Sequence, residues 1–246
     1  LPLTVVPKLS PLSVVLAIDV SGSMKRKMNE VQVAAAAFVK SLSPEDRIHI
    51  VTFEREVRHL TPPEGVGQDG AMRVIAMTKA LGDTRLYDGI HESVSVLKDI
   101  PGRRAVVLLS DGADDKGRGG PLSVNTLEQA IAHAKEVNIP VYMIGIGTGI
   151  DEEVLQKTAG STGGLSVAAP SLTELETLYA KISEHLGGQY FIYYTSQKPG
   201  DGASREISLA YGASTGSKFF KAPIIETAEP VAVIESTFEK STDNWG

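Results

Sequence analysis

The sequence predicts an α/β fold: a doubly wound, mostly parallel six-stranded sheet with helices on both faces, followed by a small antiparallel β extension. Two observations lead to this prediction. Short apolar runs alternate with stretches of helical spacing through residues 13–187, as expected of β-α-β units around a parallel sheet. Nine of the fourteen aromatic residues (six Phe, seven Tyr and one Trp) then fall after residue 187, so the chain changes character near Gly187 and Gly188.

This change in composition divides the chain into four parts. Residues 1–12 form a lead segment, and residues 13–187 form the α/β domain. Residues 188–225 form the β-rich extension, and residues 226–246 are a linker or the start of a further module. Because the chain begins at Leu1 rather than Met, we expect it to be a fragment or a processed form.

The first half of the α/β domain opens with a buried strand. The apolar run 14–18 is stopped by Asp19 and a Ser-Gly turn, as expected of a strand in a parallel sheet. A helix over 28–40 follows, because its apolar residues recur at helical spacing. The later elements of this half are a strand over 48–53, an edge strand over 57–60, and helices over 70–80 and 86–98.

The second half repeats this alternation. The run 105–109 is a third buried strand, stopped by Ser110-Asp111-Gly112, and Pro140 opens a strand over 141–146. Between them an apolar stripe predicts a helix over 124–137. A short helix begins at Asp151, where acidic residues suit the positive helix N-terminus. The last elements are a strand over 163–167 and a helix over 171–186 that opens with capping-box residues.

The tail has a different pattern. Three short strand-like segments are separated by Gly, Ser and Asp residues, which is typical of a small antiparallel meander. These segments cover 190–195, 206–210 and 218–221.

Composition excludes several classes of function. The chain has no cysteine, which removes disulfide frameworks, thiolate nucleophiles and thiolate zinc ligands. A formal net charge of −6 without a long basic run argues against nucleic-acid binding through phosphate neutralisation. The apolar runs are far shorter than the roughly 20 residues of a membrane helix, so we expect no membrane insertion of this segment.

Carboxylates follow two of the predicted buried strands. Asp19 ends the first strand and Asp111 ends the third apolar run, and ligands of open α/β sheets bind at such carboxyl ends. After Asp19, alternation places Ser21 and Ser23 on the same side of an extended loop. One carboxylate and two hydroxyls are hard oxygen ligands, which suit Mg²⁺, Mn²⁺ or Ca²⁺ and suit zinc or copper poorly.

Three segments together resemble the von Willebrand factor type A domain, a family with a metal-ion-dependent adhesion site. Asp19-Val20-Ser21-Gly22-Ser23-Met24 is similar to its first motif. Gly82-Asp83-Thr84-Arg85-Leu86-Tyr87-Asp88 is similar to the loop whose threonine binds the ion, and Leu108-Leu109-Ser110-Asp111-Gly112 to the strand end that completes the site. The resemblance covers roughly residues 12–187. It implies the sheet order 3-2-1-4-5-6, with the strands that end at Asp19 and Asp111 side by side.

The resemblance also implies a function. Five residues would hold a divalent cation directly or through water: Asp19, Ser21, Ser23, Thr84 and Asp111. Mg²⁺ is the expected ion, with Mn²⁺ and Ca²⁺ as alternatives. Three neutral hydroxyls leave much of the charge of the ion uncompensated, so its open position would take an Asp or Glu carboxylate from a partner protein. We therefore expect a bacterial adhesion module that is not an enzyme and lies extracellularly, on the cell surface or in the periplasm, with the cytoplasm as the alternative.

Two other functions stay open at this stage. A phosphotransfer enzyme of the haloacid-dehalogenase type also has an aspartate after its first strand, but its second carboxylate would stand where this chain has Ser21. A structural scaffold with an unused metal site is the third possibility.

Several polar residues near these motifs have simpler interpretations. Asp19 has the alternative of capping the following helix, and Asp88 is interpreted as a cap or anchor of the 86–98 helix. Asp114 and Asp115 are expected in a solvated loop. Lys25, Arg26 and Lys27 are expected on a solvated helix face. Some members of the family bind a second ion through acidic residues at this place, so these basic residues predict no adjacent second metal. The histidines show no metal-ligand spacing and are interpreted as structural, and Gly145–Gly149 as a turn.

Overall fold

The computed structural model describes residues 3–7, 11–110, 114, 120–146, 151–169, 190–194, 198, 200–211 and 214–222. The chain divides into two compact units, Ser10–Ser183 and a second unit of Leu1–Leu9 with Glu184–Gly246. The strands are β1 (Leu3–Pro7), β2 (Leu12–Asp19), β3 (Arg47–Phe53), β4 (Val57–His59), β5 (Arg103–Ser110), β6 (Val141–Ile146), β7 (Ser166–Ala169), β8 (Tyr190–Tyr194), β9 (Ser204–Tyr211) and β10 (Ser214–Lys221). The helices are α1 (Met28–Ser41), α2 (Gln68–Ala76), α3 (Leu86–Leu97), α4 (Leu127–Glu136) and α5 (Glu152–Thr162), with a 3₁₀ turn over Gly22–Arg26.

The first unit contains a six-stranded sheet in the order β4-β3-β2-β5-β6-β7. All neighbouring strands are parallel except β4, which pairs antiparallel with β3 at one edge. Counted along the chain this is the order 3-2-1-4-5-6, so the predicted fold class and strand order are confirmed. The strand order reverses at β2, between β3 and β5, and the carboxyl ends of β2 and β5 lie side by side.

Both faces of this sheet are covered by helices. On one face, side chains of β2, β3, β5 and β6 pack against α3, α4 and α5 in one apolar core; the sheet residues are Val15, Ala17, Val51, Phe53, Val106, Leu108, Val141 and Met143. Val14, Leu16 and Ile18 alternate with these along β2 and are also fully buried. The opposite face therefore needs its own cover, which the buried stripe of α1 and the neighbouring α2 supply.

Several element boundaries differ from the sequence prediction; α2, for example, covers Gln68–Ala76 rather than 70–80. Two of the differences have a clear local reason. Helix α4 begins at Leu127 rather than at 124, because Thr126 and Gln129 form a reciprocal capping box. Strand β7 begins at Ser166 rather than at 163. Gly163 ends α5 in the left-handed conformation, with φ 79°, and Gly164 packs closely on the main chain of Val141.

The second unit contains two antiparallel pairs. β1 pairs with β8 from Leu3↔Tyr194 to Pro7↔Tyr190, and β9 pairs with β10 in a hairpin. The three strands predicted in the tail are present, but β8 pairs with β1, a strand that the sequence did not indicate, rather than forming a meander with β9. The predicted helix over 171–186 and residues 226–246 lie outside the described residues.

Across the described ranges, no helix combines the length and the apolar character needed to cross a bilayer.

The close packing of α3 on the sheet depends on Gly89. A Cβ at this position would lie 2.7 Å from the ring of Phe53. We expect Gly89→Ala to lower the free energy of unfolding by about 1–3 kcal/mol, because the added methyl group overpacks the core. Gly160→Ala is the matched control, since Gly160 on α5 has open space around it and the change to alanine should stabilise by up to about 1 kcal/mol. Urea unfolding measures both, and a Gly89→Ala protein as stable as wild type would contradict the packing described.

We expect a buried imidazole on β3 to make the free energy of unfolding depend on pH. His49 on β3 is 2% exposed, and within the described structure its Nε2 atom has no hydrogen-bond partner. Burial lowers the pKa of His49 below its ordinary value of 6.5; Glu64 opposes this shift and His59 adds to it.

We therefore expect the free energy of unfolding to fall as the pH is lowered from about 7.5 to about 5.5. The unfolded chain takes up a proton at His49 near its ordinary pKa of 6.5, whereas the native protein resists protonation until a lower pH. Urea unfolding over this pH range should show a flatter slope for His49→Gln, while the change of half-exposed His59 to Gln should leave the slope nearly intact. An unchanged slope in His49→Gln would assign the pH dependence to another group.

Candidate metal centre

Asp19 lies at the carboxyl end of β2 and is completely buried. Its Oδ1 accepts a hydrogen bond from the Ser21 amide at 2.8 Å, and its Oδ2 accepts one from Ser110 Oγ at 2.6 Å. Ser110 ends β5, so this carboxylate joins the ends of the two strands at which the sheet order reverses. A carboxylate has about four acceptor sites, so each oxygen keeps acceptor capacity for a cation. The sequence left open whether Asp19 caps the helix that follows. Its carboxylate instead accepts the amide of Ser21, two residues along the chain, in a local turn, and it does not cap α1.

The structure brings Ser21 and Ser23 together. After β2 the chain turns into the 3₁₀ segment Gly22–Arg26, and the two hydroxyl oxygens lie 3.0 Å apart. Ser21 is buried whereas Ser23 is exposed, so the hydroxyl pair extends from Asp19 toward the surface. The side-by-side placement that the alternating pattern predicted is therefore present, although a tight turn produces it rather than an extended loop.

The loop that carries Thr84 lies against this turn. Leu81 N–H donates to the Val20 carbonyl at 2.6 Å, and Gly22 N–H donates to the Gly82 carbonyl at 2.8 Å. Gly82 has φ 87°, a left-handed conformation that favours glycine, and a Cβ on Gly22 would lie 3.1 Å from the Gly82 carbonyl oxygen. Thr84 itself is buried, at 6% exposure. Two glycines thus let the main chains of the two motif loops approach closely.

Sequence reasoning missed Glu54, which follows β3 at the same edge of the sheet. Its carbonyl accepts the Arg85 amide at 3.0 Å, and its carboxylate packs against Gly82. The residue is 6% exposed, although it is charged. The available signal was an acidic residue directly after a buried apolar strand, the same signal that identified Asp19 and Asp111.

Asp111, the fifth predicted ligand, lies outside the described residues, as do Asp115 and Gly147–Gly149. Asp114 is described, and the prediction that it lies in a solvated loop is wrong. Its carboxylate accepts hydrogen bonds from the amides of Leu122 at 2.6 Å, Ser123 at 3.0 Å and Tyr87 at 3.1 Å, and from the Ser123 hydroxyl. Asp114 therefore connects residues 122–123 to the first turn of α3, which begins two residues after Thr84.

Asp88 anchors the start of α3, as interpreted from the sequence. Its carboxylate accepts hydrogen bonds from the amides of Val124 and Asn125, both at 2.9 Å, from Asn125 Nδ2 at 2.8 Å and from Arg85 Nη1 at 3.0 Å. Partial burial opposes the charged form of Asp88, but the bonds from Asn125, Val124 and Arg85 outweigh it and lower the pKa. The side chain therefore stays ionised as a support for the loop at 122–125.

The basic segment after the first motif divides into two environments. Lys25 and Arg26 are exposed, as expected, whereas Lys27 Nζ donates to the Ile146 carbonyl at the end of β6, at 2.8 Å. Lys27 is thus not on a purely solvated face. Among the histidines, His91 and His133 stack with ring centroids 4.4 Å apart, which agrees with a structural role, and His185 lies outside the described residues.

The donor set that the structure assembles fits a hard divalent cation. Asp19 supplies a carboxylate, Ser21 and Ser23 supply hydroxyls, and Thr84 belongs to a loop bonded to the same turn. All of these candidate donors are oxygen atoms, which Mg²⁺ and Ca²⁺ prefer. Over the described ranges, no group of three or more His, Cys, Asp or Glu side chains is arranged to hold a metal ion.

An open cleft of about 470 Å³ lies beside the Thr84 loop. It lies between the start of β4 and α3, and its lining includes Arg55, Val57, Arg85, Asp88, Glu92 and Asn125. Arg85 Nε is buried there and has no hydrogen-bond partner in the described structure. Arg55 and Arg85 give the lining of this cleft two cationic side chains.

Comparison with known proteins gives consistent matches. Residues 14–113 match the family model described as the von Willebrand factor type A domain. A UPF0353 protein of Mycolicibacterium paratuberculosis is 24% identical over 209 residues, which cover 71% of this chain and 60% of that protein. The chain thus spans less than two thirds of this relative.

Solved structures share the fold. A von Willebrand factor type A protein from Catenulispora acidiphila matches 89% of this chain and 57% of its own, with a TM-score of 0.65 and 17% identity. The pilus adhesin SpaC from Lactobacillus rhamnosus GG matches 72% of this chain and 30% of its own, with a TM-score of 0.56 and 16% identity. The sequence match over residues 14–113, the sheet order and the solved structures together show that the α/β unit has the fold of a von Willebrand factor type A domain.

Proposed function

We propose that this domain is a metal-dependent protein-binding module. Asp19, Ser21, Ser23, Thr84 and Asp111 would hold a divalent cation, with Mg²⁺ expected and Mn²⁺ or Ca²⁺ as alternatives. The observation that carries the proposal is the buried Asp19 carboxylate beside the Ser21–Ser23 hydroxyl pair, with the Thr84 loop bonded to the same turn. This arrangement concentrates hard oxygen donors at the point where the sheet order reverses.

The charge of the donor set supports binding of an acidic group. The hydroxyl ligands are neutral, so at most two carboxylates, Asp19 and Asp111, would offset the +2 charge of the cation. Asp19 also already accepts two hydrogen bonds. A cation held in this way remains electrophilic at its open position. An Asp or Glu side chain of a partner protein matches that position in charge and hardness. The neighbouring cleft, which Arg55 and Arg85 line, offers the partner a second contact.

Binding rather than catalysis is the function that these residues support. A phosphotransfer site would need a second carboxylate as general acid and base, and this chain has Ser21 at the corresponding position. A neutral hydroxyl beside Asp19 suits cation binding. SpaC, which shares the fold, is a pilus adhesin, and this supports an adhesive role on the cell surface or in the periplasm.

Metal titration of the wild-type protein and two variants tests the proposal. We expect Asp19→Ala and Thr84→Ala each to weaken Mg²⁺ or Mn²⁺ binding by at least about tenfold, because each removes a proposed ligand. Isothermal titration calorimetry provides the affinity. Asp69→Ala is the matched control and should leave the affinity unchanged, since Asp69 is an exposed aspartate in the first turn of α2 and is not one of the proposed ligands. Unchanged affinity in both ligand variants would defeat the proposal.

A further inference from the structure

We infer that Glu54 is a positioning residue for the Thr84 loop, an inference that rests on the proposed metal site. Glu54 is not itself one of the proposed ligands. Its main chain and its carboxylate contact the loop on either side of Thr84, so it sets where the threonine hydroxyl lies relative to the Asp19 turn.

The position of Glu54 follows from the sheet register. Phe53 lies opposite Asp19 in the parallel pairing of β3 with β2, and the Val20 amide donates to the Phe53 carbonyl at 3.0 Å. Glu54 is the next residue along, so it emerges at the carboxyl edge of the sheet beside the turn that holds Ser21. It is 6% exposed, which is low for a glutamate and requires compensating contacts.

Two contacts join Glu54 to the loop. The Arg85 amide donates to the Glu54 carbonyl at 3.0 Å, which fixes the main chain just after Thr84. Before Thr84, the Glu54 carboxylate packs directly on Gly82, since a Cβ built there would lie 2.5 Å from Oε2. Gly82 also accepts the bond from the Gly22 amide. Glu54 and the Asp19 turn therefore hold the same glycine from two directions.

The carboxylate of Glu54 is itself held in place. Its Oε1 atom forms an ion pair with Arg58 Nη2 at 3.1 Å, and its Oε2 accepts the Arg55 amide at 2.5 Å. Arg55 in turn pairs through Nε with Asp83, inside the loop, at 3.0 Å. These contacts offset the cost of burying the charge and leave the carboxylate little freedom to move away from Gly82. A residue that fixes a ligand loop in this way tunes metal affinity without touching the ion.

Glu56 provides a matched control. It lies two residues from Glu54 and pairs with the same Arg58, at 3.0 Å, but its side chain is 70% exposed. Glu56→Ala therefore removes an equal charge from the same ion-pair cluster.

The first measurement is amide hydrogen exchange over residues 78–86 in the absence of metal. We expect exchange to be at least about fivefold faster in Glu54→Ala than in wild type, because the loop loses its support on one side. Exchange in Glu56→Ala should stay at the wild-type rate. Equal exchange in Glu54→Ala and wild type would overturn the inference, whatever the ion affinity shows.

The second measurement is a double-mutant cycle on Mn²⁺ affinity by calorimetry. Glu54→Ala should weaken binding about tenfold, and Glu56→Ala should leave it within about twofold. In the Thr84→Ala background, Glu54→Ala should change the residual affinity by less than about twofold, because its effect is transmitted through Thr84. Full additivity would overturn the inference, since a general loss of structure would act in either background.

The two measurements separate this inference from the proposed function. If the wild-type protein binds no Mn²⁺, the proposed metal site fails, while the exchange measurement still decides whether Glu54 positions the loop. If Glu54→Ala does not fold, Glu54→Gln replaces it in both measurements with the same expected directions.

Discussion

The buried carboxylate of Asp19 is the group on which the candidate site depends. It accepts hydrogen bonds from the turn that follows its own strand and from Ser110 at the end of the neighbouring strand. A carboxylate without such partners would be costly to bury, so these bonds allow a negative charge at the centre of the sheet edge. The surrounding loops are arranged around that charge. A cation bound there would offset the remaining cost, so ion binding and the local fold favour the same arrangement.

Close main-chain approach is the second constraint, and it links the loops to each other. Gly22 and Gly82 meet through a 2.8 Å hydrogen bond, and on the far side Asp114 and Asp88 hold the first turn of α3. The Thr84 loop is thus supported from the sheet edge and from its own helix. Residues outside the proposed ligand set therefore fix the positions of these loops. The proposed ligands consequently need little conformational freedom of their own.

Much of this arrangement could be predicted from the sequence because it depends on local signals. Apolar runs stopped by Asp19 and Ser110 gave the strand ends, and the family motifs gave the strand order. The roles of Glu54 and Asp114 could not be predicted, because the contacts that link each of them to residues 82–87 span 27 or more positions in the chain. In the sequence alone, Glu54 after its strand and Asp114 in its loop have the same local pattern as polar residues that only face solvent. The pairing of β1 with β8 was missed for the same reason, since its partners are separated by the whole α/β domain.

That pairing also has a mechanical consequence. In the β1–β8 ribbon, Leu3 lies opposite Tyr194, and the intervening chain of the α/β unit connects the other end of the ribbon. Tension applied through the outer ends, before Leu3 and after Tyr194, therefore pulls the two strands apart at one end. The antiparallel hydrogen bonds would then open pair by pair rather than being sheared together. Under such a load the ribbon would open first, and tension would reach the α/β unit only after its strands had separated.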